Sequence, residues 1–360
     1  MSVIVGLGNA GTQIVKLAAQ SKLLEDEEFY SIDSVASSVS MTDVGKIKTI
    51  PIISDSKSGS GRDRERGRAM FEFHKSKKEF EGLLEACKKS DDFVIAISSA
   101  AGGTGSGAIV GLCDYLISNG VPVIPFIIYP ASEDPSAYHL NTNDLVVELG
   151  DIKVGDDPGI NAYSVFVNPP STEYTNVNKA VVRSLETILG KHYDRTDLDS
   201  IDDSDLQQLL RMPGRFVSVY CEARDTDTLK REITKAVLCG YQPSWTAESA
   251  EDNTYMAAMS LSSAFASSDF DEVFEDITVR LGKHYDKYKN VAIIEGDICY
   301  ATVIVSGLPN VKTKNVADDF NLAGGISDGM KKSQRPSFMG KHKAVIKKDE
   351  KTGENAFNWV

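Results

Sequence analysis

The chain has 360 residues, of which 41% are hydrophobic and 25% charged, which is enough for two globular domains. Its formal charge of −13 argues against a body that binds nucleic acid, and its five histidines form no HExxH-type cluster, so a zinc enzyme is not expected. No apolar run reaches the ~20 residues that cross a bilayer, no leader is expected before the first strand, and five scattered cysteines without CxxC spacing read as reduced core thiols of a cytoplasmic protein.

Ser2-Val3-Ile4-Val5-Gly6 is a short apolar strand that runs into Gly6-Leu7-Gly8-Asn9-Ala10-Gly11-Thr12-Gln13, with a helix expected over residues 14–21. A GxGxxG at a strand–helix turn suits a dinucleotide, and Asp33 stands where the acidic residue closing the second strand would meet a ribose. This stretch alone therefore leaves an NAD-dependent oxidoreductase open. Residues 54–68, SDSKSGSGRDRERGR, form a polar Gly/Ser-rich loop turning into a charged helix, which composition alone reads as solvated. That helix carries an apolar stripe of Met70, Phe73, Phe80, Leu83 and Leu84.

The most informative stretch comes next. An apolar strand over 93–99 leads into Ala101-Gly102-Gly103-Thr104-Gly105-Ser106-Gly107, then a helix over 108–117 and a buried strand over 121–129. That is a strand–loop–helix–strand unit of right-handed parallel type. Four glycines in six positions let the backbone approach a ligand. Successive N–H groups and the following helix end favour an anion, and Thr104 and Ser106 place hydroxyls there. A Walker A loop would need Lys and Ser or Thr after its last glycine, whereas Ala108 and Ile109 follow Gly107. A Rossmann loop belongs in the first strand–helix turn. The motif closely resembles the GGGTG[ST]G signature of the tubulin/FtsZ superfamily of polymerising GTPases, with Ala101 in place of the first Gly.

The resemblance implies roles for residues on both sides of the loop. Gly6, Gly8, Asn9, Gly11 and Gln13 match the family's first loop, which holds the α- and β-phosphates, Gln13 falling near the base. Ser31-Ile32-Asp33 resembles its Asn-Thr-Asp loop. Gly59-Ser60-Gly61-Arg62 loosely matches the Gly-Ala-Gly-x-Asn-Pro loop that senses the γ-phosphate, with Asp63-Arg64 in place of Asn-Pro. Glu133 or Asp134 matches the ribose carboxylate, and Asn168, ending a strand over 163–167, matches an Asn after the sixth strand. Tyr174 and Asn178 lie one helical turn apart at the start of a long central helix. A ring to stack on a purine beside an amide for guanine's hydrogen-bonding edge is what a guanine pocket requires.

The central helix is expected to end near Tyr193, followed by the acidic run Asp197 to Asp205. Composition alone makes it a solvated loop with a capping end. The resemblance aligns Ser200-Ile201-Asp202-Asp203-Ser204-Asp205 with the family's Asn-x-Asp-x-x-Asp, the loop that enters the nucleotide site of the next subunit and orients the attacking water. Asp202 and Asp205 are thus the candidate catalytic residues, since phosphoryl transfer needs positioning and electrostatics more than covalent chemistry. Beyond, strands over 216–221, 291–294 and 300–305 alternate with helices over 227–239 and 271–285, and residues 260–271 read as a loop. The tail turns basic through Lys331, Lys332, Arg335, Lys341, Lys343, Lys347, Lys348 and Lys351, and ends in Phe357 and Trp359.

The expected fold is α/β: a parallel Rossmann-like GTPase sheet with helices on both faces, a long central helix and a second, smaller α/β domain. The expected divisions are residues 1–173, 174–195, 196–308 and a tail over 309–360. The resemblance implies GTP or GDP with Mg²⁺ and a head-to-tail homopolymer. A neighbouring subunit or an adaptor is the expected partner of the tail, with no direct membrane binding. The short chain and basic tail bring it nearest the diverged phage and plasmid tubulins, which position or segregate phage or plasmid cargo. A GTP-binding regulator that does not hydrolyse is the other alternative.

Overall fold

A computed structural model describes residues 1–34, 46–53, 59–90, 93–170, 174–189, 203–239, 242, 255–262, 272, 285–292, 299–308, 344–348 and 355–359. The chain opens with β1 (Val3–Leu7), α1 (Gly8–Ala18), β2 (Glu28–Asp33) and β3 (Ile47–Pro51). Then come α2 (Arg64–His74), α3 (Lys78–Lys89), β4 (Val94–Ser99), α4 (Thr104–Ser118), β5 (Val123–Tyr129) and α5 (Ser136–Gly150). A small hairpin of β6 (Lys153–Val154) and β7 (Asp157–Pro158) precedes β8 (Ala162–Val167) and the helix α6 (Tyr174–Ile188). The rest comprises α7 (Asp203–Arg211), β9 (Gly214–Ala223), α8 (Thr226–Cys239), β10 (Tyr255–Ser262), β11 (Tyr285–Ala292), β12 (Cys299–Leu308), β13 (Ala344–Lys348) and β14 (Asn355–Trp359).

Ten strands make one sheet in the order β11-β10-β12-β9-β8-β5-β4-β1-β2-β3. Every neighbour from β3 to β9 is parallel. At the centre of the sheet β1, β4 and β5 are buried on both faces, which is why they read as continuous apolar runs rather than alternating ones. Val3, Val5 and Leu7 of β1 face a core closed by Met70, Phe71, Phe80, Leu112 and Leu145 from α2 to α5. Ile4 faces the opposite core, with Ile14 and Val15 of α1, Val177, Val181 and Leu185 of α6, and Leu209 of α7. This is the expected parallel sheet with helices on both faces. From β1 the chain runs through β2 to the β3 edge, then returns to β4 on the other side of β1. Such a reversal opens a crevice at the carboxyl ends of the two strands, the usual ligand position in open α/β sheets.

Beyond β9 the sheet changes character. β12 is antiparallel to both β9 and β10, while β10 and β11 are parallel. The smaller unit is thus a continuation of the same sheet, joined where Ala162 to Ser164 of β8 pair with Gly214 to Phe216 of β9. Above that short pairing, buried Gln242 bridges the two strands: its Oε1 accepts from the Ser218 N–H at 3.0 Å, and its Nε2 donates to Ser164 Oγ at 2.8 Å.

Several elements differ from expectation. Residues 260–262, expected in a loop, belong to β10, whose sequence YMAAMSLS hides its period behind Ala and Ser. β11 begins at Tyr285, where a helix was expected to end. Its sequence YDKYKNVA is polar because it forms the sheet edge, where charge discourages further pairing. The single helix expected after residue 63 is two, broken at 75–77. In the basic tail β13 and β14 pair antiparallel, Ala344 opposite Trp359. No described helix is long and apolar enough to cross a membrane.

Phe216 sits at the junction of the two parts, fully buried, its ring centroid 5.7 Å from that of Phe126. Phe216→Ala removes a large buried ring that the surroundings cannot refill, so stability should fall by roughly 3–5 kcal/mol. Guanidinium denaturation measures this, and an unchanged midpoint would rule out a shared aromatic core across the junction.

Candidate functional site

The first two glycine-rich turns meet at the carboxyl ends of β1 and β4. A Cβ placed on Gly8, whose φ is +68°, would lie 2.9 Å from the Gly105 N. One on Gly105 would lie 2.5 Å from Ser98 Oγ and 2.6 Å from the Leu7 carbonyl oxygen, and one on Gly11 would lie 2.4 Å from that of Ile97. The turns therefore pack backbone on backbone. Gly102 is different: the nearest atom to its missing Cβ is 4.0 Å away, so this glycine borders open space.

Gly103 and Gly107 have another use. With Gly111 they form a stripe of three glycines at four-residue spacing along the start of α4, against which α2 and the loop before it lie. Added Cβ atoms would fall 2.2 Å from Ser60 Oγ, 2.2 Å from the Arg64 carbonyl oxygen and 2.6 Å from the Phe71 ring. Part of the glycine density read as serving phosphate thus serves helix packing.

Both helices that start at these turns are electrostatically open. Neither α1 nor α4 has a side-chain cap, and neither carries an acidic residue in its first turn. The first N–H groups of a helix lack intrahelical acceptors and carry the positive end of its dipole. Two such ends abutting at one switch point form an anion site. By contrast, Asp63 caps α2, accepting from the Arg66 N–H at 3.2 Å.

The hydroxyls expected to face the ligand are engaged within the protein. Thr104 Oγ1 lies 2.6 Å from Ser34 Oγ and donates to Ser60 Oγ at 3.0 Å. These buried hydroxyls tie the turns after β2 and before α2 to the signature loop. Ser106 Oγ donates to the Gly102 carbonyl. Asn141 on α5 is a residue the sequence reading missed: its Nδ2 donates to the carbonyls of Ala101 at 3.2 Å and Arg62 at 3.3 Å. Its one signal is a poor helix former in the second turn of a helix. Also missed was Glu148, which accepts from buried Arg64 at 2.5 Å and from Arg68, while Arg64 Nη2 also donates to the Ser106 carbonyl at 3.3 Å. Burial pushes the Glu148 carboxyl up, and the hydrogen bonds and charges of the two arginines outweigh it, leaving it below the ordinary carboxylate value.

The remaining expected residues surround this centre. Asn9 and Gln13 are exposed one turn apart on α1, with Gly6, Gly8 and Gly11 buried beneath. Gly59 and Gly61 flank the buried Ser60, Gly61 with φ +63°. Asp33 is 2% exposed at the end of β2, its Oδ1 accepting from the Ser34 N–H at 2.7 Å. Beyond β5, the Asp134 carboxylate closes its own turn by accepting from the Ala131 N–H at 2.8 Å, whereas Glu133 is exposed and accepts from Ser132 Oγ. The Asn168 N–H donates to the Tyr129 carbonyl, holding the strand end. Tyr174 opens α6 with half its surface exposed, and Asn178 is half-buried on the next turn. Of the acidic pair, Asp205 is half-buried in the first turn of α7, and Asp202 lies outside the described residues. Among the described residues no cluster of three His, Cys, Asp or Glu comes together for a metal ion.

Steric crowding makes a clean test. Gly105→Ala should cost about 1–3 kcal/mol through forced backbone displacement. Gly82→Ala, in α3 with nothing within 4 Å of the added atom, should instead stabilise by roughly 0.5–1 kcal/mol. Thermal unfolding of both variants checks the pair, and equal shifts would contradict the loop packing.

No protein-family model matches the sequence, and no curated protein matches it by sequence. Solved structures match over most of the chain. CetZ2 from Haloferax volcanii superposes with a TM-score of 0.68 at 16% identity, covering 89% of this chain and 97% of its own. TubZ from Bacillus thuringiensis serovar israelensis gives 0.66 at 18%, covering 89% and 93%, and FtsZ from M. jannaschii gives 0.65 at 14%, covering 85% and 88%. The chain has the tubulin/FtsZ-superfamily fold.

Proposed function

We propose that this chain binds GTP at the meeting point of the two glycine-rich turns, assembles head to tail into filaments, and hydrolyses GTP at the subunit interface. The observation that carries the reading is the pair of uncapped, acid-free helix N-termini at the sheet's switch point. They suit a polyphosphate, and the exposed Tyr174 ring and Asn178 amide supply what a guanine would need. CetZ2 and the Bacillus TubZ, which share the fold, are known as protofilaments with GTPγS.

In this reading Gly6 to Gln13 hold the α- and β-phosphates, and Ala101 to Gly107 form the opposite wall. Glu133, exposed in the turn after β5, meets the ribose hydroxyls. Mg²⁺ arriving with the nucleotide supplies charge neutralisation at the phosphates. A magnesium ion needs only one or two protein oxygens beside the phosphates and its own waters. Asp202 and Asp205 come from the next subunit and hold the attacking water. A heterologous contact of this kind does not close, so it propagates a filament. Residues 1–173 would bind nucleotide, 174–195 transmit its state, 196–308 make subunit contacts, and the basic tail over 309–360 dock on a neighbour or an adaptor. Positioning of phage or plasmid cargo in a cytoplasm is the role that fits such a filament.

A dinucleotide reading shares the sheet order and the first loop. Against it, the Asp33 carboxylate that a ribose would require is 2% exposed and already accepts from Ser34.

Phosphate release from GTP measured against protein concentration tests the proposal. A threshold followed by cooperative turnover is expected, because half of the site comes from another molecule. Tight GTP binding with no release at any concentration would instead indicate a regulator, and absence of GTP binding would revive the dinucleotide reading. Asp202→Ala and Asp205→Ala should bind GTP and polymerise but hydrolyse little; wild-type turnover in assembled filaments of either would remove that residue from the catalytic role.

A further inference from the structure

We propose that Asn141 is a positioning residue for this site, which by holding the Ala101 carbonyl turns the Gly102 N–H toward the place of the anion. This rests on the nucleotide reading above and adds to it a residue of α5, outside the glycine-rich turns.

The first argument is the geometry of one peptide. Asn141 Nδ2 donates to the Ala101 carbonyl at 3.2 Å and to the Arg62 carbonyl at 3.3 Å. Both amide hydrogens are thereby used, and two carbonyl partners require the nitrogen end of the side chain. No peptide bond among the described residues is cis. In a trans peptide the C=O and the N–H point in opposite directions. With the Ala101 carbonyl held toward α5, the Gly102 N–H of the same peptide points away from it. Gly102 is half-buried, and apart from its chain neighbours the nearest atom to an added Cβ is the Ser99 carbonyl oxygen, 4.0 Å away. Among the described residues its N–H has no acceptor. It is a donor aimed and left unused.

The second argument is what the loop would do unheld. Glycines allow a peptide to rotate at low cost. A rotated 101–102 peptide would set a carbonyl oxygen against the anion in place of an N–H. Two other carbonyls of the loop are also held by side chains, that of Gly102 by Ser106 Oγ and that of Ser106 by Arg64. Asn141 differs in coming from a helix fixed again two turns further on, where Glu148 pairs with Arg64 and Arg68. A donor oriented before the ligand arrives need not be ordered on binding.

GTPγS binding and NMR-detected hydrogen exchange of the Gly102 amide, both on the full chain below its assembly concentration, provide the test. In the wild-type chain GTPγS should slow exchange at Gly102. Asn141→Ala frees the peptide and should weaken GTPγS binding by about tenfold, the worth of one charged hydrogen bond, with little slowing at Gly102. Asn141→Asp keeps the shape but presents an acceptor, which draws the Gly102 N–H to itself; that amide should be protected without ligand and the affinity lower still. Asn141→Gln, which keeps the donor, should recover part of the affinity. Wild-type affinity in the Ala or Asp variant overturns the proposal and leaves the nucleotide reading intact. So does an equal loss in all three variants with Gly102 exchange unchanged, which marks a purely structural role. Failure of the wild-type chain to bind GTPγS overturns both.

Discussion

The contact on which the rest of the site depends is the one between the turn after β1 and the turn after β4. At Gly8 and Gly105 the two backbones touch with no room for a side chain. Neighbouring parallel strands lie only ~4.8 Å apart, so helices leaving both on opposite faces bring their first turns together at the switch point. Any Cβ at this seam would push the two helix starts apart. The apolar cores on the two faces hold the seam closed: α1 is packed by α6, and α4 by α2 and α5.

Around that seam charge is distributed in a way the overall composition conceals. A chain of net charge −13 places α1 and α4 with no acid in their first turns and gathers four arginines beside them. Glu148 neutralises part of that cluster while fixing α2 to α5, and Arg64 reaches the carbonyl of Ser106. Half-buried ion pairs of this kind position elements more than they stabilise them. Here the result is a loop cluster in which Glu148 holds Arg64 and Arg68 while Arg62 stacks on the Tyr138 ring.

Sequence and structure agree where the physics is local and differ where it is not. The β4–loop–α4–β5 unit was legible because a strand buried on both faces is an unbroken apolar run, and because glycine at such density has few uses. Tyr174 and Asn178 were legible through helical spacing. The division of labour among the glycines was not, since Gly103 and Gly107 owe their identity to the loop before α2 and to α2 itself, some 40 residues away in sequence. Nor was the Ser34–Thr104–Ser60 hydroxyl chain, because serine in a turn carries no signal of what it will meet. β10 and β11 escaped for different reasons: small residues blur the period of one, and edge polarity erases it in the other. Of the expected hydrolytic residues, Asp205 lies in the first turn of α7 and Asp202 lies outside the described residues.

The interlocked glycines also bear on how such a site can diverge. Because Gly8, Gly11 and Gly105 are each fitted against a neighbouring backbone, a single replacement at any of them is costly without a compensating one. Adaptation is thereby channelled to the side-chain-bearing positions on the rim, such as Asn9, Arg62 and Glu133, where a change alters what is recognised without disturbing the seam. Sharing a fold at 14–18% identity is compatible with steric constraint concentrated at the seam and freedom on its rim.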